Sequence, residues 1–218
     1  MAETIADTVA GAIASGQLNA GDRVVELALA EQMGASRVPV REALKVLHAQ
    51  GIITGGSHRG FRVATFDEGT ANNVFEVRLM LEKILLRDAI KRIRAGEANL
   101  DGAKDALQGM QNAARIEDRA ASLAADLDFH RAISQASGNE IAETLWETLA
   151  RHVLIIFSRK EYRDDDLDTI VTQHIEYLAF IERCLENPPD DSTLEDALSH
   201  HLLQVARARK QQSSDGQG

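Results

Sequence analysis

The feature that most constrains the fold is the order of structural patterns within residues 1–64. Apolar residues at helical spacing predict three short helices, over about 3–15, 26–33 and 37–50, each followed by a glycine. Two β-prone runs follow, 52–54 and 61–64, and the glycine-rich segment between them predicts a hairpin. The residues expected to face inward are Ile5, Val9, Ile13, Leu27, Ala30, Met33, Val40, Leu44 and Leu47.

Three helices and a hairpin in fewer than about seventy residues are the layout of a winged helix-turn-helix, a DNA-binding fold. Ser36 is expected to cap the third helix, and Pro39 lies in its first turn, where a missing N–H costs little. The second helix of such a motif enters the major groove with its N-terminus first. We therefore expect a DNA-binding domain over residues 1–66.

The distribution of charge supports this expectation, although the net charge of the chain is −10. Residues 65–218 carry 18 basic and 28 acidic side chains, which accounts for the whole excess. Residues 32–64 hold five basic side chains and a single acidic one, Glu42. A basic segment joined to an acidic remainder indicates a nucleic-acid contact surface carried by a domain with another task.

The basic side chains of the third helix are candidates for reading DNA. Arg37 and Arg41 lie four residues apart on one face, and an arginine there can form a two-pronged contact with guanine. Lys45, one turn further, suits a phosphate contact, and the wing tip suits the backbone or minor groove. The alternative is that both arginines are solvated surface charges, with Arg41 paired to a nearby acid. The expected DNA contacts are Ser36, Arg37, Val38, Arg41, Lys45, Arg59 and Gly60.

No strand pattern returns after Asp67, so the chain is expected to be mainly α. Six helices are predicted over about 67–95, 97–117, 119–137, 139–160, 166–187 and 191–210, followed by a polar tail over 211–218. Ser192 is expected to cap the last helix, with Glu195 as its reciprocal partner. The densest apolar stretch, 153–157, is far shorter than the roughly twenty residues that cross a bilayer. With one cysteine and no secretory leader, we expect a cytoplasmic protein without a membrane partner.

Histidines in the helical part form a candidate metal site. Asp126 and His130 are four residues apart and project from one helix face, so they can hold a metal ion together. His174 and His201 lie in two later helices, which can face the first across a bundle core. Simpler interpretations remain open, because Asp126 with His130 can be a helix-surface pair and a histidine on an apolar face is more often a hydrogen-bonded core residue.

The N-terminal residues resemble the GntR family of bacterial transcription regulators. The run G-A-S-R-V-P-V-R-E-A-L at 34–44 is similar to the family pattern G-V-S-R-T-P-V-R-E-A-L, and 25–30 and 59–63 resemble its second helix and its wing. The resemblance implies a homodimer that binds a palindromic operator in double-stranded DNA. Ala20, Ala35 and Val38 depart from the usual residues, which leaves the operator sequence open.

Residues 67–210 resemble the FCD ligand-binding domain of the FadR-like branch of this family, and six helices resemble its VanR-type subgroup. The matching runs are D-L-D-F-H at 126–130, S-G-N at 137–139 and E-V-R-L-M-L-E at 76–82. In metal-binding members one aspartate and three histidines hold a divalent ion. The resemblance assigns these roles to Asp126, His130, His174 and His201, with His200 as the rival of His201. Such ligands suit one Zn, Ni, Mn or Fe ion per chain.

The same resemblance implies an effector site. Arg78 is expected to point into the metal pocket and clamp a small organic acid, and Asn139 is expected to belong to the same site. The alternative for Arg78 is an ordinary ion pair with Glu82, four residues along the helix. The expected function is therefore a DNA-binding regulator, a repressor, whose operator binding a carboxylate metabolite modulates. A regulator that senses the metal itself and a metal-dependent enzyme are the alternatives.

Overall fold

Helices account for most of the chain, and the computed structural model describes residues 1–56, 60–159 and 166–202. The chain divides into two units, one formed by 1–71 with 151–156 and the other by 72–150 and the residues from 157 onward. The domain boundary at 66/67 stays a prediction. The elements are α1 (Ala2–Ala14), β1 (Arg23–Val24), α2 (Glu26–Gln32), α3 (Arg37–Ala49), β2 (Ile53–Gly56), β3 (Gly60–Val63), α4 (Glu68–Arg94), α5 (Asp101–Arg115), α6 (Arg119–Ser137), α7 (Glu140–Phe157) and α8 (Leu167–Glu186), and 191–202 are also helical.

The N-terminal unit is a winged helix-turn-helix, as the sequence predicts. Its three strands form an antiparallel sheet in the order β1-β3-β2, with Ile53 opposite Val63. Strand β1 was not predicted, because two residues are too few to show an alternating pattern. It is held in place because Val63 donates its N–H to the carbonyl of Asp22 and accepts the N–H of Gly21.

The apolar stripes predicted for α1 and α3 are confirmed. Val40, Leu44 and Leu47 are fully buried, and α1 likewise buries its apolar side chains against α3. The inward position predicted for Leu27 is wrong, because this side chain is 54% exposed. The buried position of the seven-residue α2 is Ala30, so the true inward face is rotated away from Leu27.

The second unit is a helical bundle, and all six helices predicted for it are present among the described residues. Its core contains side chains of α5, α6, α8 and the segment 191–202, with Met110, Phe129, Ile181 and Leu198 completely buried. Helix α5 begins four residues later than predicted, because the Asn99 side chain accepts the N–H of Asp101 and ends the preceding turn. Among the described residues no helix combines the length and the apolar character that crossing a bilayer requires.

Two predicted helix caps differ in the structure. Ser36 occupies the N-cap position of α3 as expected, but its side chain makes no capping hydrogen bond. The cap of 191–202 is Asp190 rather than Ser192, because Asp190 accepts the N–H of Thr193 at 2.8 Å and the helix already begins at residue 191, as predicted. Glu195 pairs with Lys83 of α4 instead of closing a capping box. The predicted helix end at 210 and the tail 211–218 lie outside the described residues.

We predict that Gly55→Ala destabilises the wing, whereas Gly56→Ala does not. Gly55 has a φ of +100°, and a Cβ on it would overlap the backbone carbonyl of Gly60, whereas a Cβ on Gly56 would meet nothing within 4 Å. Strain at such a position costs about 1–3 kcal/mol. Urea unfolding should therefore show a free energy of unfolding about 2 kcal/mol lower for Gly55→Ala. Equal stabilities for the two variants would contradict this account of the hairpin.

Candidate nucleic-acid interface and candidate metal centre

A groove in the N-terminal unit gathers most of the predicted DNA-contacting residues. It has a volume of about 790 Å³. Elements β1, α2 and α3 and the described part of the wing contribute its walls. Arg59, predicted to contact DNA at the wing tip, lies outside the described residues. The groove is lined by Arg23, Val24, Val25, Glu26, Arg37, Arg41, Lys45, His48, Gly56, Gly60 and Phe61.

Glu26 holds two arginines of helix α3 side by side. Its Oε1 lies 3.1 Å from Nε of Arg37 and 2.9 Å from Nη2 of Arg41, and its Oε2 lies 3.1 Å from Nε of Arg41. The hydrogen bonds from Arg41 and Arg37 lower the pKa of the Glu26 carboxyl below its ordinary value. Both arginines remain more than half exposed, so these ion pairs are weak and either guanidinium can turn toward another anion.

The other predicted DNA-contacting side chains lie on the surface of the same helix or next to it. Val38 is 70% exposed, which is unusual for an apolar side chain and suits contact with a thymine methyl group. Lys45 pairs with Glu42 at 2.9 Å and remains exposed, and Ser36 is exposed at the start of α3. This surface therefore offers both positive charge and an apolar contact along one helix.

Three histidines from three helices meet inside the second unit. His130 of α6, His174 of α8 and His201 of the segment 191–202 are all buried, and each offers a ring nitrogen within 4.8 Å of the others. Asp126, one turn before His130, places Oδ1 2.9 Å from Nε2 of His174. The neighbouring His200 is exposed. These four buried side chains line a cavity of about 30 Å³ together with Arg78, Phe157, Ile170, Gln173 and Leu202.

The partners of two rings indicate where their protons lie. Nδ1 of His174 lies 2.8 Å from the carbonyl oxygen of Ile170, and a carbonyl only accepts, so Nδ1 carries the proton. Nδ1 of His130 lies 2.8 Å from Oε2 of Glu82, and the same argument applies because Glu82 is ionised. In the neutral form of each ring the lone pair of Nε2 therefore points toward the cavity.

This arrangement of lone pairs suits a cation. Burial lowers the pKa of His130 and lowers that of His201 well below its ordinary value, so both rings are neutral as metal ligands must be. Nε2 of His174 faces the Asp126 carboxylate but has no aligned hydrogen-bond partner among the described residues. Two ligand atoms, each about 2.1 Å from an ion, are about 3.0–3.4 Å apart for angles between 90° and tetrahedral. The distance of 2.9 Å between Oδ1 of Asp126 and Nε2 of His174 lies just below that range, and the 3.4 Å between the Nε2 atoms of His130 and His201 lies at its upper end.

Arg78 and Glu82 form a buried ion pair at the edge of this cavity rather than a surface pair. Their residues are 1% and 5% exposed, and Nε of Arg78 donates to Oε1 of Glu82 at 2.6 Å. Burial by itself would raise the pKa of Glu82, but the charge of Arg78 and the contact with His130 hold it at about 2. The Arg78 guanidinium packs 5.3 Å from the ring centre of Phe157, and its Nη2 has no hydrogen-bond partner among the described residues. A donor is thus available beside the candidate ion site.

The structure does not bring Asn139 to this cavity. Its Oδ1 accepts the N–H of Ala142 in the first turn of α7, and its Nδ2 donates to Asp88 at 3.0 Å. Because both ends of the amide are engaged there, Asn139 organises the turn between α6 and α7.

The sequence does not predict the part that two carboxylates, Glu82 and Glu26, play in these sites. Glu82 was considered only as the partner of Arg78, although it also contacts His130 and Trp146. Glu26 lies within the run 25–30, whose pattern indicates only the second helix of the motif. The spacing of Arg78 and Glu82 on one helix face was the available signal for Glu82. Nothing in the sequence places Glu26 beside the two arginines of the following helix.

Comparison with known families gives a match for each part of the chain. Residues 1–63 match the family described as bacterial regulatory proteins, gntR family, and residues 73–204 match the FCD domain. The chain is 30% identical over 202 residues to a probable D-xylose utilization operon transcriptional repressor of Paenarthrobacter nicotinovorans, covering 93% of this chain and 85% of that protein. It is 26% identical to the gluconate operon transcriptional repressor of Bacillus licheniformis, covering 78% and 71%.

A solved structure also has the same fold. E. coli McbR/YncC superposes with a TM-score of 0.78, covering 97% of this chain and 98% of that one at 20% identity. At that identity the likeness concerns the architecture alone, a winged helix-turn-helix followed by a helical domain.

Proposed function

The chain belongs to the GntR family of bacterial regulatory proteins and carries an FCD domain, and we propose that it is an effector-responsive repressor. In the cytoplasm, two copies would bind a palindromic operator in double-stranded DNA, each through α3 and its wing. The helical domain, residues 67–210, would hold one divalent ion and a small organic acid. The observation that carries this proposal is the convergence of three buried imidazoles and a carboxylate beside an unpartnered arginine nitrogen.

The DNA-binding role of α3 rests on the two arginines that Glu26 aligns at its start. In a helix-turn-helix this end of the helix faces the base edges, and an arginine there reads guanine through two hydrogen bonds. Lys45 lies two turns from the start and suits a phosphate. Ser36, Val38, Arg59 and Gly60 complete the proposed contact surface.

We predict that Arg41→Ala and Lys45→Ala weaken DNA binding in different ways. The loss of a base contact should cost about 1–3 kcal/mol on the operator and little on scrambled DNA. The loss of a phosphate contact should weaken both alike and reduce the salt slope by about one. The measurement is fluorescence anisotropy at several salt concentrations, with an operator selected from random DNA by the protein itself. If Arg41→Ala lowers affinity equally for operator and scrambled DNA, Arg41 does not read bases.

The proposed ion ligands are Asp126, His130, His174 and His201. Zn, Ni, Mn and Fe(II) all accept imidazole and carboxylate ligands, and such an ion would supply positive charge that attracts an anionic effector. Support comes from the inferred proton positions, since the Nε2 lone pairs of two rings face the cavity.

We predict that His201→Ala abolishes metal retention whereas His200→Ala preserves it. The two residues are adjacent, but His201 is buried with the other two histidines and His200 is exposed. Untagged protein, loaded and dialysed, should retain about one ion per chain by elemental analysis, and His174→Ala should lose it as well. Retention by His201→Ala, or no retained ion in the unsubstituted protein, would refute the proposed ligand set.

The effector is proposed to be a compact carboxylate held between the ion and Arg78. Nε of Arg78 donates a hydrogen bond to Glu82, and Nη2 is available to donate to another acceptor. A cavity of about 30 Å³ holds about two water-sized groups, so a larger acid would have to displace lining side chains such as Gln173. The acid can change DNA affinity only by binding one arrangement of the dimer better than another.

We predict that Arg78→Lys weakens the response to the effector about tenfold, because lysine keeps the charge but loses the planar two-pronged donor. A panel of two- to six-carbon carboxylates would be titrated into the complex of metal-loaded protein and operator, read by anisotropy. Arg87→Lys is the matched control, since Arg87 lies on the same helix and is exposed. No response of the unsubstituted protein to any carboxylate would count against the effector class, and an unchanged response of Arg78→Lys against this residue.

The small volume of the cavity favours one alternative, in which the ion itself is the effector. The same titration separates the two functions. DNA affinity that changes on adding metal to metal-free protein, with no further change on adding carboxylates, would identify a metal-sensing regulator.

A further inference from the structure

A single carboxylate connects the guanidinium of Arg78 with the imidazole of His130. Oε1 of Glu82 receives Nε of Arg78 at 2.6 Å and the indole N–H of Trp146 at 3.2 Å. Oε2 lies 2.8 Å from Nδ1 of His130. The carboxylate belongs to α4, and its partners come from α4, α6 and α7, so all of these contacts are fixed by the packing of the bundle.

The two ends of this carboxylate face different kinds of partner. An arginine Nε and an indole nitrogen can only donate, so the atom facing Arg78 and Trp146 must be an acceptor. An imidazole nitrogen can donate or accept, depending on the tautomer. Whether the side chain at position 82 accepts or donates therefore determines which nitrogen of His130 carries the proton.

We propose that Glu82 is a positioning residue that selects the Nδ1–H tautomer of His130 and so keeps its Nε2 available to bind the divalent ion. This inference rests on the proposed ion site, and it assigns to Glu82 a role beyond pairing with Arg78. Carboxylates that orient metal-binding imidazoles in this way raise metal affinity, and removing such a carboxylate lowers metal affinity about 10–100-fold.

Glu82→Gln tests the tautomer directly because it replaces one of the two acceptor atoms with a donor. The amide oxygen must face Arg78 and Trp146, since both donate, and the amide nitrogen then faces Nδ1 of His130. His130 has to accept at Nδ1 and carry its proton on Nε2, which removes the lone pair that the ion needs. Glu82→Asp keeps both acceptor atoms and the charge, so it should retain the tautomer.

The experiment uses the full chain labelled with ¹⁵N-histidine and free of metal. Long-range ¹H–¹⁵N spectra distinguish the tautomers, and the signals of His130 are assigned with His130→Gln. We expect Nδ1–H in the unsubstituted protein and in Glu82→Asp, and Nε2–H in Glu82→Gln. Zinc affinity, measured by competition with a chelating dye, should fall about 10–100-fold in Glu82→Gln. Glu82→Asp should restore most of the loss, and Glu76→Gln, an exposed change on the same helix, should leave affinity unchanged.

The outcomes separate this inference from the function on which it rests. Zinc binding by Glu82→Gln as tight as that of the unsubstituted protein, or an unchanged tautomer, would overturn the role of Glu82 while leaving the ion site intact. No zinc binding by the unsubstituted protein would overturn the ion site, and the spectra would still decide the tautomer. If Glu82→Gln does not fold, the unsubstituted protein and Glu82→Asp decide the matter. An Nε2–H signal from His130 in the unsubstituted protein overturns the inference, and an Nδ1–H signal in both proteins supports it.

Discussion

The buried ion pair between Arg78 and Glu82 is the interaction on which the candidate site of the helical unit depends. Removing two charges from water costs several kcal/mol for each ion, and mutual attraction alone often fails to offset that cost. Here the carboxylate also receives hydrogen bonds from Trp146 and His130, so both of its oxygens are engaged. The same contacts orient a guanidinium and an imidazole toward one cavity, which an apolar pair of similar volume could not do.

Much of the fold could be predicted because it depends on local patterns. The stripe of α3 repeats over thirteen residues, which is enough to identify its buried face, and Val40, Leu44 and Leu47 are all buried as predicted. Helix α2 has only seven residues, so its stripe determines the buried face poorly, and Leu27 is exposed. Strand β1 exists only because β3 pairs with it, and no local pattern of two residues can show that.

The candidate site was predictable only in its outline. Spacing placed Asp126 and His130 on one face of a helix, and a family resemblance added His174 and His201. The partner that determines the proton position of His130 comes from elsewhere, since Glu82 lies on α4 and His130 on α6, whereas Ile170, the partner of His174, is one turn away on the same helix. Asn139 shows the converse, because the local preference for asparagine at the start of a helix accounts for the contact of its Oδ1 with the N–H of Ala142 without any effector.

Both units use a glutamate to orient arginine, but the two environments give these contacts different strengths. The pairs of Glu26 with Arg37 and Arg41 are exposed and therefore weak, so another anion can replace the carboxylate at little cost. Arg78 cannot replace Glu82 by water or another anion in this way, because Arg78 is 1% exposed and Glu82 is buried beside it. The arginines of α3 are therefore aligned yet able to change partner, as their proposed role in reading DNA requires. The arginine of the cavity is fixed, and its Nη2 is the donor that has no hydrogen-bond partner among the described residues.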